Sequence, residues 1–463
     1  MKNFNRLFFC CFIFLILLSL FPRPSYATGK AEDDSCGCAA AVEPPNYPLD
    51  GYDRTGIKRL KAFKLVQEGK LRGTAKLPPG AMLTEKEIKL RLQGQNDRYD
   101  ISAKTPHDPV LQKGLTEILK NRDPHYSIAI LDITDPQRPR YAAVREDSLY
   151  SPGSIGKLLV MTGLFDQLAK VFPDTAARIR TLKNTKVTAD DWAKTDEHEV
   201  PFYDQSLNKI SYHIIKPGDT FSLWEFVDHM VSPSANAAGS MVWKQVMLID
   251  QFKSAYPVPR ATADAYFKDT KKNLLTEQLV RVLRDPLAAV GMPEEEIRHG
   301  TLFTGGGQRA VPGVKSYITP KQMLRWLLKL EQGKLVDGWS SLEMKKLIYF
   351  TRRRYRYASS PALDSAAVYF KSGSLYSCKP EPGFKCRKYM GNNKNILNSV
   401  AIVESPARDP KPCVYLVALC SNVLKVNSAV EHQTIATEIE EMILQQHGRF
   451  NPKKAKKVAV NPE

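Results

Sequence analysis

The chain has 463 residues, 43% of them hydrophobic and 25% charged, with a net charge of +18. That is an ordinary globular composition, enough for one large domain or two of medium size. The positive charge alone would suggest nucleic acid, but the N-terminus argues against it. Lys2 and Arg6 precede the apolar run Leu7 to Phe21, and Ser25-Tyr26-Ala27 has the small-x-small form of a cleavage site. Residues 1–27 therefore read as a secretory signal peptide, removed after Ala27. The short apolar core, followed by Pro22 and Pro24, argues against a retained anchor. No later segment is apolar enough to span a bilayer, so a periplasmic or secreted mature chain is expected.

Residues 28 to about 105 are rich in proline and charge, with Glu43-Pro44-Pro45 and Leu77-Pro78-Pro79-Gly80 as punctuation. They read as an N-terminal extension or linker (28–105) carrying one helix, Lys58 to Glu68. From about Asp108 the texture becomes globular. Val110 to Leu119 has helical spacing, and Tyr126–Asp132 and Arg140–Val144 read as strands. Next come Ser151-Pro152-Gly153-Ser154-Ile155-Gly156-Lys157 and an apolar helix from Leu158 to Phe172. Residues 173 to 220 are polar and unassigned. Asp196-Glu197-His198-Glu199 within them reads as a solvated loop, with metal ligation the lesser alternative. Further helices are expected over Leu223–Met230, after Ser232-Pro233-Ser234-Ala235-Asn236, over Leu274–Val290 and from Lys321 to Leu330. Thr319 and Pro320 suit the start of the last of these. Thr301 to Val314 reads as a glycine-rich loop. Val368–Ser374, Asn398–Ser405 and Cys413–Cys420 read as strands, and Val430–Gln446 as a closing helix. Strands at both ends with helices between imply an α+β fold, one sheet beside an all-helical lobe.

Eight cysteines are present, and Cys10 and Cys11 leave with the signal. In an exported chain, Cys36, Cys38, Cys378, Cys386, Cys413 and Cys420 suggest disulfides. Cys378 with Cys386 could close a hairpin insertion. Cys413 and Cys420 on one continuous strand would stand too far apart, and cross-pairing between the two couples is equally open. Zinc is disfavoured, because no histidine accompanies the pairs at ligand spacing. The run Arg352-Arg353-Arg354-Tyr355-Arg356 and the basic tail at 449–463 suit anionic envelope polymers or a solvated surface better than nucleic acid in an exported protein.

Ser154 and Lys157 stand three residues apart, one turn of a helix. A serine hydroxyl needs a base within hydrogen-bond reach, and a lysine in a dry site can lose its proton and become one. Ser154-x-x-Lys157, Ser234-Ala235-Asn236 and Lys371-Ser372-Gly373 then follow in order. This set resembles the serine β-lactamases and penicillin-binding proteins, and its flanks are most similar to class A β-lactamases. The resemblance covers about residues 106–448. It implies an antiparallel sheet flanked by helices plus an all-α lobe. It also implies Ser154 as nucleophile, Lys157 as general base or proton relay, Ser234 as the residue that passes a proton to the leaving nitrogen, and Lys371 as the positive charge for Ser234 and the substrate carboxylate. Asn236 would bind the substrate amide, Ser372 its carboxylate, and Gly373 would leave room for it along the strand edge. The N–H groups of Ser154 and Ser374 would form an oxyanion hole, worth roughly 3 kcal/mol per donor. No metal or other cofactor is needed. The implied substrate is a β-lactam or a D-Ala-D-Ala-type peptidoglycan peptide.

Two departures from the family pattern stand out. Ala235 replaces the aspartate of the usual Ser-Asp-Asn. Near Thr301 to Phe303, where class A enzymes carry a glutamate that activates the deacylating water, there is no carboxylate; Glu294, Glu295 and Glu296 lie too early. A long-lived acyl-enzyme is the expectation, closer to a D,D-peptidase-like penicillin-binding protein than to an efficient β-lactamase. A non-catalytic peptidoglycan-binding protein that kept the fold is the competing reading. The presence of all three motifs argues against it.

Overall fold

The computed structural model describes residues 48–73, 77–351 and 354–450. The expected signal peptide, Cys36, Cys38 and all but the first two residues of the basic tail lie outside them. The N-terminal part carries α1 (Tyr52–Thr55), α2 (Lys58–Gln67) and α3 (Pro109–Leu119). Strands β1 (Tyr126–Asp132) and β2 (Arg140–Val144) follow at the expected bounds. The helical lobe contains α4 (Gly156–Val171), α5 (Thr175–Asn184), α6 (Leu223–Val231), α7 (Asn236–Phe252), α8 (Arg260–Asp269) and α9 (Lys272–Ala289). Short strands β3 (Lys186–Thr188), β4 (Glu199–Asp204), β5 (Lys209–Ile214) and β6 (Thr220–Ser222) fill the polar stretch between α5 and α6. Then come α10 (Gly305–Ala310), α11 (Pro320–Glu331) and α12 (Gly338–Tyr349). The chain closes with β7 (Ala367–Ser377), β8 (Lys394–Ser405), β9 (Cys413–Asn422) and α13 (Ser428–Gln446).

The main sheet has the order β2-β1-β9-β8-β7, antiparallel throughout. Its strands alternate because both faces are covered. On β9, Cys413, Tyr415, Val417 and Leu419 face one core with α3 and α13, while Val414, Leu416, Ala418 and Cys420 face the larger core with the helical lobe. Local signals fix the helix starts. Ser222 and Glu225 form a reciprocal capping box on α6, and Thr319 caps α11 with Pro320 in its first turn.

The alternation also decides the cysteines. Cys413 and Cys420 are seven residues apart on β9, so they project to opposite faces, and both are buried free thiols. Burial pushes the Cys413 thiol up to about 11. Cys378 and Cys386 form a disulfide in the β7–β8 connection; cross-pairing does not occur.

Residues 48–105 are not the linker that their composition suggested. Ile57, Leu60, Phe63, Leu83, Ile88, Leu92 and Ile101 are buried in the same core as the helical lobe. Their charges are also engaged. Arg59 forms a fully buried ion pair with Asp228 of α6, and Arg91 pairs with Glu404 of β8. Asp100 pairs with Arg325 at 2.8 Å and Lys329 at 3.1 Å, both on α11. The apolar residues are too widely spaced to form a periodic stripe, and the charges that mimic a solvated chain have partners far away in sequence.

Candidate active site

Ser154 sits in a single 3-10 turn, Gly153–Ile155, directly before α4, so the helix begins two residues earlier than expected. This turn is pressed against β7. A Cβ on Gly373 would lie 2.6 Å from Ser154 N and would also strike the Pro152 carbonyl. Only glycine at this point of β7 lets the strand approach the turn. The structure thus gives Gly373 a packing reason beside the expected one of clearance for a substrate.

Lys157, in the first turn of α4, has no exposed surface. Its Nζ lies 3.0 Å from Ser154 Oγ, 2.6 Å from the Ser234 carbonyl, 2.7 Å from Asn236 Oδ1 and 3.4 Å from Ser234 Oγ. Burial lowers its pKa to about 7, against an opposing pull from Asp196. The geometry suits the neutral amine. A neutral amine has two N–H groups and one lone pair. The Ser234 carbonyl and Asn236 Oδ1 can only accept, so they take the two N–H groups, leaving the lone pair for the Ser154 hydroxyl proton.

Ser234 lies on the turn between α6 and α7 and has φ +65°, a left-handed conformation uncommon for a residue with a side chain. That conformation turns its carbonyl toward Lys157 while its Oγ accepts from Lys371 Nζ at 2.8 Å. Strain of this kind collects at functional sites. Lys371, 2% exposed on β7, also donates to its neighbour's carbonyl, Ser372 O, at 2.8 Å. Burial first, then Lys157 and Arg356, hold its pKa well below the ordinary lysine value. Asn236 begins α7. Further along the same helix, Gly239 leaves space for its neighbours: a Cβ there would lie 2.6 Å from Phe303 and 3.2 Å from Lys157 Cε.

Ser372 and Ser374, two apart on β7, share one face of the strand and one partner that the sequence reading missed. Arg356 donates to Ser372 Oγ at 2.6 Å, Ser374 Oγ at 3.1 Å and the Tyr389 hydroxyl at 2.8 Å. It too has a left-handed φ, +56°. In the sequence it is one arginine of a basic run, and nothing local separates it from a solvated cation.

The stretch near Thr301 to Phe303 holds Phe303, whose ring centroid is 4.9 Å from Lys157 Nζ. Phe303 stacks on His299 at 4.7 Å, and His299 on Trp243 at 5.1 Å. Burial, with Lys157 nearby, lowers the His299 pKa to about 3, so it is neutral. Glu294 pairs with Arg298, and Glu296 accepts from Gln322 at 2.7 Å and pairs with Lys321. Gly305–Ala310, expected as loop, is the short helix α10 capped by Thr304. Asp196, expected in a solvated loop, has a fully buried side chain.

A family model described as the β-lactamase enzyme family matches residues 110–443. The chain belongs to the β-lactamase enzyme family. Its fold is that of the serine β-lactamase and penicillin-binding protein superfamily. Similar solved structures include a β-lactamase from Sphaerobacter thermophilus DSM 20745, at 15% identity and TM-score 0.45, covering 74% of this chain and 97% of that one. PBP-A is similar at 12% identity and TM-score 0.45, covering 75% and 99%. The TLA-3 extended-spectrum β-lactamase is similar at 15% identity and TM-score 0.47, covering 73% and 98%. No curated protein sequence matches the chain. The family match ends five residues before the end of the domain expected at 106–448, and it begins beyond residues 48–105, which the fold nonetheless packs into the same body.

Proposed function

We propose that this protein is an exported serine hydrolase that forms an acyl-enzyme on Ser154 with β-lactam or D-Ala-D-Ala-type amides and releases it slowly. The observation that carries this is the 3.0 Å contact between Ser154 Oγ and a fully buried Lys157. Lys157 takes the Ser154 proton as Oγ attacks the carbonyl carbon. Ser234, hydrogen-bonded to Lys371, returns a proton to the leaving nitrogen. The N–H groups of Ser154 and Ser374 stabilise the oxyanion. Arg356, with Ser372 and Ser374, receives the substrate carboxylate, a planar anion that suits a guanidinium fork. Asn236 holds the substrate amide on one side and Lys157 on the other.

Slow release rests on Phe303. The wall beside Lys157 where a water-activating carboxylate would be useful is an aromatic ring. The reading therefore favours penicillin-binding, D,D-peptidase-like behaviour within a class A-like frame. Export rests on the N-terminal sequence and is compatible with the Cys378–Cys386 disulfide. The mature chain would begin at residue 28, and the catalytic body would include residues 48–105 as well as 106–448.

Intact-mass measurement after incubation with a fluorescent penicillin tests this reading on the wild type and Ser154→Ala. A persistent adduct on the wild type alone is expected. Drug loss without an adduct would mean rapid deacylation and overturn the slow-release part. Neither adduct nor drug loss would overturn the β-lactam reading and favour a peptidoglycan-binding role.

A further inference from the structure

Helix α7 presents Asn236 to Lys157, yet its own cap position is Ala235, which has no side chain to bond the free N–H groups of the first turn. A distant residue serves instead. Asp196 Oδ2 accepts from Ala237 N at 2.8 Å, the bond that a capping aspartate at position 235 would make. Asp196 has no exposed side-chain surface. Its Oδ1 accepts from His198 Nδ1 at 2.7 Å and from the backbone N–H of Glu197 and His198. Thr195 before it is left-handed, with φ +76°, and this turns the carboxylate inward.

The same segment also grips the opposite wall of the site. Thr195 Oγ1 accepts from Gly305 N at 2.6 Å, and Thr304 Oγ1 donates to the Trp192 carbonyl. Asp190 pairs with Lys244 on α7. Residues 190–198 thus tie the turn behind Phe303 to the helix that carries Asn236.

We propose that Asp196 is a positioning residue for the acylation step, anchoring Asn236 against Lys157 and supplying the negative charge that offsets the Lys157–Lys371 pair. This rests on the reading of Lys157 as the base for Ser154. The groups facing Lys157 are Ser154, Ser234, Asn236, Phe303, Lys371 and neutral His299. Lys157 opposes a proton on Lys371, whereas Asp196 favours one on Lys157. Burial works against the Asp196 charge, but the bonds from His198 and Ala237 hold its carboxyl below the ordinary aspartate value. Removing that charge favours the neutral form of Lys157.

The test uses Asp196→Asn, which keeps the shape and one acceptor oxygen, and Asp196→Ala, both neutral, with Asp196→Glu as the charge-keeping control. Lys157 titration is read from the lysine 13Cε signal, assigned with Lys157→Arg, and requires no turnover. Loss of the charge should lower the Lys157 midpoint, near 7 in the wild type, by about one pH unit. The acid limb of penicillin acylation should move with it, and Asp196→Glu should restore both. An unchanged midpoint in the folded neutral variants would overturn the proposal, leaving Asp196 as a cap alone. A shifted midpoint in a protein whose wild type never acylates would support the coupling and overturn the acyl-enzyme reading instead.

Discussion

A lysine proposed as a base near neutral pH must be able to lose its proton there, and burial is the main cause that lowers the Lys157 pKa to about 7. With its pKa near 7, acylation by penicillin should fall about tenfold for each pH unit below 7 and level off above it, because only the neutral amine can take the Ser154 proton. Stopped-flow labelling between pH 5 and 9 checks this, and a flat profile would remove Lys157 from the base role. The residue beside it makes a second expectation. Phe303→Glu places a carboxylate against Lys157 where an aromatic ring now lies. The adduct should then turn over at least tenfold faster, read as recovery of free enzyme by mass. An equally persistent adduct would mean that something other than the missing carboxylate limits release.

Among the elements, the contact between β7 and the Ser154 turn leaves no room for a side chain at Gly373. Gly373→Ala pushes a methyl group onto Ser154 N, and the strand or the turn must give way. A cost of about 1–3 kcal/mol in stability is expected. Because roughly 1 Å of misplacement at a reacting group costs about 100-fold in rate, labelling of Ser154 should fall by a similar factor. Retained labelling with unchanged melting would show that the turn has room to move. This scale also shows how the sequence could be read and where it could not. The strands and the helices around Ser154, Ser234 and Thr319 were legible because their signals are local: alternation, a cap, a proline at the first turn. Ser154, Lys157, Ser234, Asn236 and Lys371 were legible as a set because their motifs keep fixed spacing, and the fold brings them into a chain of hydrogen-bond contacts. Arg356, Phe303 and Asp196 were not legible. Each lies on a segment whose local pattern is plain, a basic run, a glycine-rich turn, an acidic loop, and each acts through a partner more than ten residues away.

At the scale of the whole molecule, the surprise is the segment at 48–105. Proline and charge usually mark a solvated tether, but here the charges are partnered inside the body. Arg59 is the test case. It pairs with Asp228, and both Arg59 and Ser232, two residues before Ser234, donate to the Phe350 carbonyl. Arg59→Ala leaves a buried carboxylate without its cation and should cost about 3–5 kcal/mol, read as a fall in the urea midpoint. Arg59→Met combined with Asp228→Leu should cost less than Arg59→Ala alone, since it removes both charges. If Arg59→Ala melts like the wild type, the segment is dispensable to the body it is packed in.

The strand order β2-β1-β9-β8-β7 has a consequence in time. Tyr126 is paired with Ser421, and Asp132 with Tyr415, so the first strands made wait for the last. Pairings of such long range are slow to find, because the loop between them must close before any contact rewards it. Until β9 arrives, β1 has β2 on one side and an open edge on the other. Late completion of the body, once its C-terminal part has been made, suits the export proposed for this chain.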